Sequence, residues 1–398
     1  MAFASNAPSA PALRALPAPR RVGACLAALA LALGLAGCSF LPASMGGPPA
    51  PPKPAELAPN PNLLGVRQAW TAKLGAVGFP LAVQVNGTVA TVAATDGSVA
   101  SIDTQTGAIR WRASAGAPLT AGVGGDGEVA AVVTRDSELV VLSRDKTLWR
   151  QRLGVQVHTP PLLAGGRVFV LAADRSISAF DAANGARLWT QQRSGDALVL
   201  RQAGVLLPVG NTLVVGQGGR MAGLNPDNGS VRWEAAIASS RGTNDVERLV
   251  DLVGPASRVG DSVCVRAFNA TVGCVDAARG ATAWTRPANG TEGLGGDDRQ
   301  VFGTEADGKV VAWARANGQP AWTSELLLRR GPTAPLLLGR SVAIGDNTGL
   351  VHLLSRENGQ LSNRLSTDGS PIVAAPVRAG NTLVVVTRNG GVYGFVPQ

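Results

Sequence analysis

The sequence predicts an all-β fold, an eight-bladed β-propeller made of four-stranded antiparallel blades. A phrase of the form Asp-x-x-x-Gly-x-x-x-Trp recurs along the chain at intervals close to 40 residues. The segments between its copies are rich in Val and Ala and are broken by turns that contain Gly, which contributes 50 of the 398 residues. A repeat of this length with strand-like content is typical of propeller blades.

The N-terminal residues have the pattern of a secretory signal instead of the repeat. An Arg pair precedes the apolar run VGACLAALALALGLAG, which is shorter than the ~20 residues that span a bilayer comfortably. The run ends in LAGC, which resembles the lipobox of bacterial lipoproteins. We therefore expect residues 1–37 to be a lipoprotein signal peptide and Cys38 to carry the lipid, and Ser39 in the next position favours the outer membrane.

A Pro-rich segment follows the lipobox. Residues 38–62 read CSFLPASMGGPPAPPKPAELAPNPN, a composition that is too rich in Pro to fold into a packed core. This composition predicts a flexible tether over residues 38–62, followed by the propeller over residues 63–398.

The repeated phrase marks the blades. Clear copies are DTQTGAIRW, DAANGARLW, NPDNGSVRW and DAARGATAW, which end at residues 111, 189, 233 and 284. Weaker copies end at Trp322 and at Asn363, which replaces Trp, and a shortened copy ends at Trp149. Trp70 has no strands before it, so we expect its strand to complete the last blade and close the ring without an open edge.

One copy has a direct physical interpretation. Asp181 caps a turn by accepting backbone N–H groups, Gly185 takes a positive φ, and Trp189 packs sideways onto the neighbouring blade. A small residue two positions before the Asp leaves space for the ring. The phrase is therefore architectural, and its Asp residues are turn caps instead of general bases. The residues expected to dock one blade on the next are Trp70, Trp111, Trp149, Trp189, Trp233, Trp284 and Trp322.

Composition excludes several function classes. Of the net charge of +9, three positive charges lie in residues 1–37, which leaves 9 − 3 = +6 scattered singly over the remainder. This distribution favours solubility over a nucleic-acid site. The two His residues, His158 and His352, have no acid or Ser partner at a useful spacing, so both are expected to be structural. We predict no catalytic residue, no metal site and no cofactor.

Two Cys residues lie in the segment SVCVRAFNATVGCVD. A turn near Asn269 would place Cys264 and Cys274 opposite each other on adjacent strands, within the Cα separation that a disulfide needs. We expect a structural disulfide, since the periplasm is oxidising. The alternative is a pair of small buried thiols, with Cys274 filling the space beside a docking ring.

The repeat resembles that of quinoprotein (PQQ-dependent) dehydrogenases, and a lipoprotein of this length with such blades resembles the BamB family of outer-membrane assembly factors over residues 63–398. ALVLRQ and NDVERLVDLVG are similar to two segments through which that family contacts the POTRA domains of BamA. The resemblance implies a lipid-anchored protein of the outer membrane that faces the periplasm. It also implies contacts with BamA and the rest of the BAM complex, and unfolded outer-membrane proteins as clients.

By position, the resemblance implies a BamA-binding role for Leu198, Leu200, Arg201, Glu247, Arg248, Leu249 and Asp251. The second Asp of the family's loop falls on Val253 here, which removes one carboxylate. Two structural alternatives remain open. Leu198 and Leu200 are two positions apart and could line the inner face of a strand. Arg201 and Asp251 could pair with each other on the surface, a contact worth ~0–1 kcal/mol.

Two other functions compete with the scaffold. A PQQ-dependent periplasmic dehydrogenase shares the blade motif, but such enzymes are usually longer and commonly carry adjacent Cys residues, which this chain lacks. A propeller that binds another periplasmic ligand, such as a polysaccharide, needs exposed aromatic side chains. Only one Tyr is present, and blade packing uses most of the Trp residues.

Overall fold

The computed structural model describes residues 53–192, 198–239, 244 and 249–398. Within these ranges the chain forms 32 strands and no helix, and the strands form eight antiparallel sheets of four. This confirms the predicted eight-bladed propeller. No helix in the described ranges has the length and apolar character needed to cross a bilayer.

Each blade is a four-stranded meander. The first strand of the chain is β1 (Val66–Lys73). Blades 1 and 2 contain β2 (Gln84–Asn86), β3 (Val89–Ala93), β4 (Ser98–Asp103), β5 (Ile109–Ser114), β6 (Gly124–Gly125), β7 (Val129–Val133), β8 (Glu138–Ser143) and β9 (Lys146–Arg152). Blades 3 and 4 contain β10 (Leu162–Ala164), β11 (Arg167–Leu171), β12 (Ile177–Asp181), β13 (Arg187–Gln191), β14 (Leu206–Val209), β15 (Thr212–Gln217), β16 (Arg220–Leu224) and β17 (Val231–Ala236).

The second half of the ring repeats this order. Blades 5 and 6 contain β18 (Leu252–Val259), β19 (Ser262–Ala267), β20 (Thr271–Asp276), β21 (Ala281–Pro287), β22 (Leu294–Gly296), β23 (Gln300–Thr304), β24 (Val310–Ala314) and β25 (Pro320–Ser324). Blades 7 and 8 contain β26 (Leu336–Leu338), β27 (Ser341–Gly345), β28 (Leu350–Ser355), β29 (Leu361–Ser366), β30 (Val377–Ala379), β31 (Thr382–Val386) and β32 (Gly391–Pro397).

The ring closes through the N-terminal strand. The eighth sheet has the order β1-β32-β31-β30, and β1 runs antiparallel to β32, with Thr71 opposite Tyr393. The outer strand of the last blade therefore comes from the beginning of the propeller, as the position of Trp70 predicts. Closure of this kind leaves no unpaired gap between the first and last blades.

The residues before β1 contact blade 7 and the connection that leads into it from blade 6. The Ala55 N–H donates to the Leu328 carbonyl at 2.9 Å, and the Leu63 N–H donates to the Ser362 carbonyl at 2.9 Å. Arg364 Nη2 also donates to the Ala58 carbonyl at 3.1 Å. The C-terminal part of the predicted tether, residues 55–62, therefore contacts the propeller, and residues 38–52 lie outside the described ranges.

The Trp residues connect consecutive blades by one repeated contact. Trp149 of blade 2 donates from Nε1 to the Ala182 carbonyl of blade 3 at 2.9 Å, and a Cβ built on Gly185 would come within 2.6 Å of its ring. Ala182 and Gly185 belong to the same turn of blade 3. This turn therefore supplies both the carbonyl that accepts the hydrogen bond and the Gly on which the ring packs. The same pairing joins Trp70 to Thr104 and Gly107, Trp189 to Pro226 and Gly229, Trp284 to Arg315 and Gly318, and Trp322 to Arg356 and Gly359.

Three positions vary this contact. Trp111 donates to the Gly127 carbonyl at 3.2 Å, because the shortened phrase of blade 2 has no equivalent turn. Trp233 packs on Gly280. Asn363, which replaces Trp, donates from Nδ2 to the Leu64 carbonyl at 2.6 Å, so a short amide completes the series beside the N-terminal strand, the outer strand of the last blade.

The Asp residues of the phrase cap turns. Asp181 Oδ1 accepts the N–H groups of Ala183 and Asn184 at 2.9 and 3.1 Å. Asp276 accepts two N–H groups in the same way, and its hydrogen bonds with Arg279 hold the pKa of its carboxyl below the usual value. The predicted turn-capping role is confirmed at these positions.

Cys264 and Cys274 are directly opposed on β19 and β20, and the structure joins them by a disulfide. Both side chains are buried, with 0% and 1% of their surface exposed. Cys274 also lies opposite Trp284, so it occupies the small position beside a docking ring as well.

We predict that Gly185→Ala destabilises the propeller more than Gly166→Ala does. Both glycines lie in blade 3 with positive φ values, +74° and +71°, so each Ala costs roughly 1–2 kcal/mol of backbone strain. Only the Cβ at position 185 collides with Trp149, which adds about 1–3 kcal/mol, because nothing lies within 4 Å of the Cβ built at position 166. Urea unfolding midpoints measure the difference, and equal midpoints would refute the docking role of Trp149.

We predict that Cys264 and Cys274 resist alkylation when the purified periplasmic protein is unfolded without reductant. The same treatment after reduction should label both residues, which mass spectrometry of the peptides detects. Labelling without reductant would show that the disulfide does not form in the cell.

Candidate functional site

The candidate site lies where connections from three blades meet. The turn between β11 and β12 carries Arg175 from blade 3, residues 198–204 lead into blade 4, and Asp251 immediately precedes β18 of blade 5. These connections lie on one face of the disc. In a four-stranded meander, the turn between the second and third strands lies at the same end of the sheet as the start of the first strand.

Asp251 holds two of these segments together. Its Oδ1 accepts a hydrogen bond from Arg175 Nη2 at 3.2 Å, and its Oδ2 accepts the Leu200 N–H at 2.9 Å. Arg175 Nη2 also donates to the Leu198 carbonyl at 3.4 Å. We call Arg175, Asp251 and the backbone of residues 198–200 the loop clamp. Because one carboxylate and one guanidinium fix the backbone of residues 198–200, the side chains of that segment have a defined position.

The clamp is mostly shielded from water. The Arg175 and Asp251 side chains are 16% and 14% exposed, unlike the surface ion pairs of this protein, and low exposure strengthens a charge-assisted hydrogen bond. Arg175 has a φ of +65° and lies over Gly218, where a Cβ would be 3.0 Å from Nη1. The alternative in which Arg201 pairs with Asp251 is therefore wrong, because Arg175 binds this carboxylate.

Leu198 and Arg201 point outward from the clamped segment. Leu198 is 40% exposed, and Arg201 is exposed and forms no ion pair with any residue in the described ranges. Residues 198–200 are not part of a strand, so the alternative in which Leu198 and Leu200 line a strand's inner face is wrong. We call Leu198 and Arg201 the docking pair, an exposed apolar side chain followed three residues later by an exposed guanidinium.

A pocket of about 50 Å³ lies beneath this segment, with Leu200, His158, Arg175 and Asp251 in its wall. Burial, and then the nearby charge of Arg201, lower the pKa of His158, so its imidazole is neutral near pH 7. Its Nδ1 is buried and has no hydrogen-bond partner within the described ranges. His158 therefore belongs to the candidate site, whereas its sequence context suggested only a structural role.

The remaining predicted partner-binding residues belong to the segment that ends at β18. Leu249 is partly buried, and Val253 is 2% exposed in β18, where it bridges to Gly204. A carboxylate at Val253 would be buried, so its absence removes no surface charge from this chain. Glu247, Arg248 and the predicted lipidation residue Cys38 lie outside the described residues.

Sequence reasoning missed Arg175 as a site residue. Its partner Asp251 lies 76 residues away at the entry to another blade, which no local sequence pattern indicates. His352, by contrast, is structural: it contacts Asp346 Oδ2 at 3.0 Å in a buried network with Arg330. Burial lowers the pKa of His352, which keeps its imidazole neutral.

The donor groups of the described residues do not form a metal site, because no three His, Cys, Asp or Glu side chains there converge. The cavity on the propeller axis has a wall that is largely apolar, with Glu292 and Arg258 as its ionisable side chains. A polyanionic quinone with its calcium ion needs several cations and a ligand cluster, so these residues do not fit that cofactor.

We predict that Asp251→Ala releases the clamped segment without unfolding the ring. Loss of the Oδ2 acceptor should accelerate hydrogen exchange at the Leu200 amide, which exchange followed by mass spectrometry or NMR measures. Asp227→Ala is the matched control, because Asp227 pairs with Arg167 at 2.7 Å but is 60% exposed. Unchanged exchange at Leu200 in Asp251→Ala would contradict the clamp.

Comparison with known proteins places this geometry in one family. The family model described as "Outer membrane protein assembly factor BamB" matches residues 95–324. The chain is similar to proteins of that name from Burkholderia pseudomallei, at 37% identity over 95% of this chain and 99% of the relative, and from Bordetella pertussis, at 38% identity over 90% and 93%.

Solved structures agree on the fold. The crystal structure of BamB from Moraxella catarrhalis matches with a TM-score of 0.75 at 25% identity, covering 83% of this chain and 99% of that one. A quinohemoprotein alcohol dehydrogenase from Comamonas testosteroni matches with a TM-score of 0.65 at 15% identity, over 86% of this chain and 78% of that one, which shows only that the two share the propeller fold. On the family model and the two relatives, this chain belongs to the BamB family.

Proposed function

We propose that the chain is a non-catalytic assembly factor for outer-membrane proteins that binds the POTRA domains of BamA through the docking pair. The family relationship supports the assembly role, since its curated relatives carry that name over nearly their whole length. The observation that supports the site is the exposed Leu198 and Arg201 on a segment fixed by Asp251. The mechanism is binding and orientation of the assembly machinery, with unfolded outer-membrane proteins as clients.

The chemistry of the docking pair defines the partner's surface. An exposed Leu three residues from an exposed guanidinium suits a partner surface that offers an apolar patch and a carboxylate. Arg is also enriched among the residues that contribute most to the binding energy of interfaces. A fixed backbone lowers the ordering cost of association. Arg175 and Asp251 therefore act as positioning residues, because their charged groups already bind each other and residues 198–200.

The N-terminal part of the proposal concerns location. Residues 1–37 serve as a lipoprotein signal peptide, Cys38 carries the lipid, and residues 38–52 connect that lipid to the propeller. The protein is then held at the outer membrane and faces the periplasm, next to BamA and the rest of the BAM complex. The lipobox-like LAGC and the Pro-rich composition support this arrangement.

We predict that Arg201→Glu reduces capture of the purified protein by immobilised BamA POTRA domains by about tenfold or more, because the new charge repels the partner's carboxylate. Surface plasmon resonance measures the affinity. Arg340→Glu is the matched control, since Arg340 is also exposed but lies in the turn between β26 and β27 of blade 7.

Arg201→Glu should keep the unfolding midpoint of the wild type, since its side chain has no ion pair in the described ranges. Wild-type affinity in a folded Arg201→Glu protein would remove the docking pair from the interface. An equal loss in Arg340→Glu would show that only overall charge matters.

A further inference from the structure

A cavity of about 700 Å³ follows the propeller axis. Residues at the inner edge of all eight blades line it, and much of its wall is aliphatic, for example Leu81, Leu162, Leu206 and Leu336. A volume of this size is within the range of small-molecule sites, roughly 300–1,000 Å³, in which a few polar groups orient a largely apolar ligand.

The two ionisable side chains of the wall differ in their partners. Arg258 donates to the carbonyls of Gly260 and Pro208 at 3.0 and 2.7 Å, so its hydrogen-bonding capacity is partly used. No group in the described ranges donates a hydrogen bond to the Glu292 carboxylate. Glu292 lies two residues before β22, and Gln202 Nε2 donates to the adjacent Thr291 carbonyl at 3.3 Å, which fixes the backbone there.

The charged group that acts on Glu292 is the guanidinium of Arg266. Arg266 is completely buried, and its Nη2 donates to Glu305 Oε1 at 3.0 Å. The charge of the same guanidinium also acts on Glu292, with which it forms no hydrogen bond. Burial raises the pKa of Glu292, and the charge of Arg266 acts in the opposite direction. Within the described ranges no cation forms a hydrogen bond or ion pair with the Glu292 carboxyl group, which lines the cavity.

We propose that the axial cavity binds an apolar molecule that carries one ammonium group, with the ammonium at Glu292 and the apolar part along the aliphatic wall. A bound ammonium ion stabilises the ionised form of Glu292 and donates the hydrogen bonds that this carboxylate otherwise lacks. A carboxylate ligand would instead meet Glu292 as a like charge. This inference goes beyond the proposed assembly function, because the purified chain binds the molecule without BamA.

Dansylcadaverine, a fluorescent naphthalene sulfonamide whose alkyl chain ends in an ammonium group, tests the proposal. Titration of the purified full-length chain should give saturable one-to-one binding, seen as enhanced dansyl fluorescence. Glu292→Gln should weaken it by about tenfold, the usual scale of a lost charge-assisted hydrogen bond. Glu325→Gln is the matched control, since the Glu325 side chain is 63% exposed on blade 6. Dansyl butylamide, which lacks the ammonium, should bind more weakly to the wild type.

A second variant locates the ligand. Ala375→Trp adds bulk in the wall of the cavity and should abolish binding in a folded protein. The proposal is overturned by the absence of saturable binding, by equal affinity for the neutral analogue, or by undiminished binding in Ala375→Trp. It is also overturned if Glu292→Gln lowers the unfolding midpoint but leaves the affinity unchanged, because Glu292 would then serve only to neutralise Arg266. BamA capture is measured separately, so the two proposals fail independently.

Discussion

The contact between a Trp ring and the Gly of the next blade is the interaction on which the rest of the structure depends. A ring lies flat only where the neighbouring turn has no Cβ, and its Nε1 donates to a backbone carbonyl of the same turn, as Trp149 does to Ala182. The turn of each copy therefore contacts the Trp of the preceding blade, and the Trp of the same copy packs on the turn of the following blade. Asn363 and the Leu64 carbonyl apply the same arrangement at the closure, where a strand from the other end of the propeller completes the last blade.

A ring held in this way leaves its connecting loops free to vary. The loop clamp is made of such loops. Arg175 lies in a turn of blade 3, and residues 198–200 and Asp251 lead into blades 4 and 5. Their relative positions are fixed because the sheets beneath them, those of blades 3, 4 and 5, are docked by Trp189 and Trp233. The rigid scaffold thus holds the backbone that carries an exposed Leu and an exposed Arg in a defined position.

Much of the fold could be predicted from the sequence because its determinants are local. A turn cap, a Gly with positive φ and a Trp lie within nine residues of one another in a copy such as residues 181–189, and repetition identifies them as blades. The contact of residues 55–62 with blade 7 could not be predicted, because it depends on side chains such as Arg364 some 300 positions away. Pro-rich composition alone indicates only that a segment does not form a core of its own.

The candidate site was predictable only in part, for the same reason. Resemblance to a family identified the 198–202 segment and Asp251, but the partner of Asp251 depends on long-range geometry. Arg175 reaches it from a turn with φ of +65° across Gly218, and no local pattern encodes that approach. Asp251 therefore acts within the protein, and Arg201, which local charge matching would pair with it, remains exposed.

Photo-cross-linking in living cells tests the central claim that the clamped loop is the surface that meets BamA. A photoreactive amino acid at position 198 should capture BamA, whereas the same group at position 340 in blade 7 should not. Capture of BamA from position 340 but not from position 198, with both proteins folded and at the outer membrane, would contradict the account.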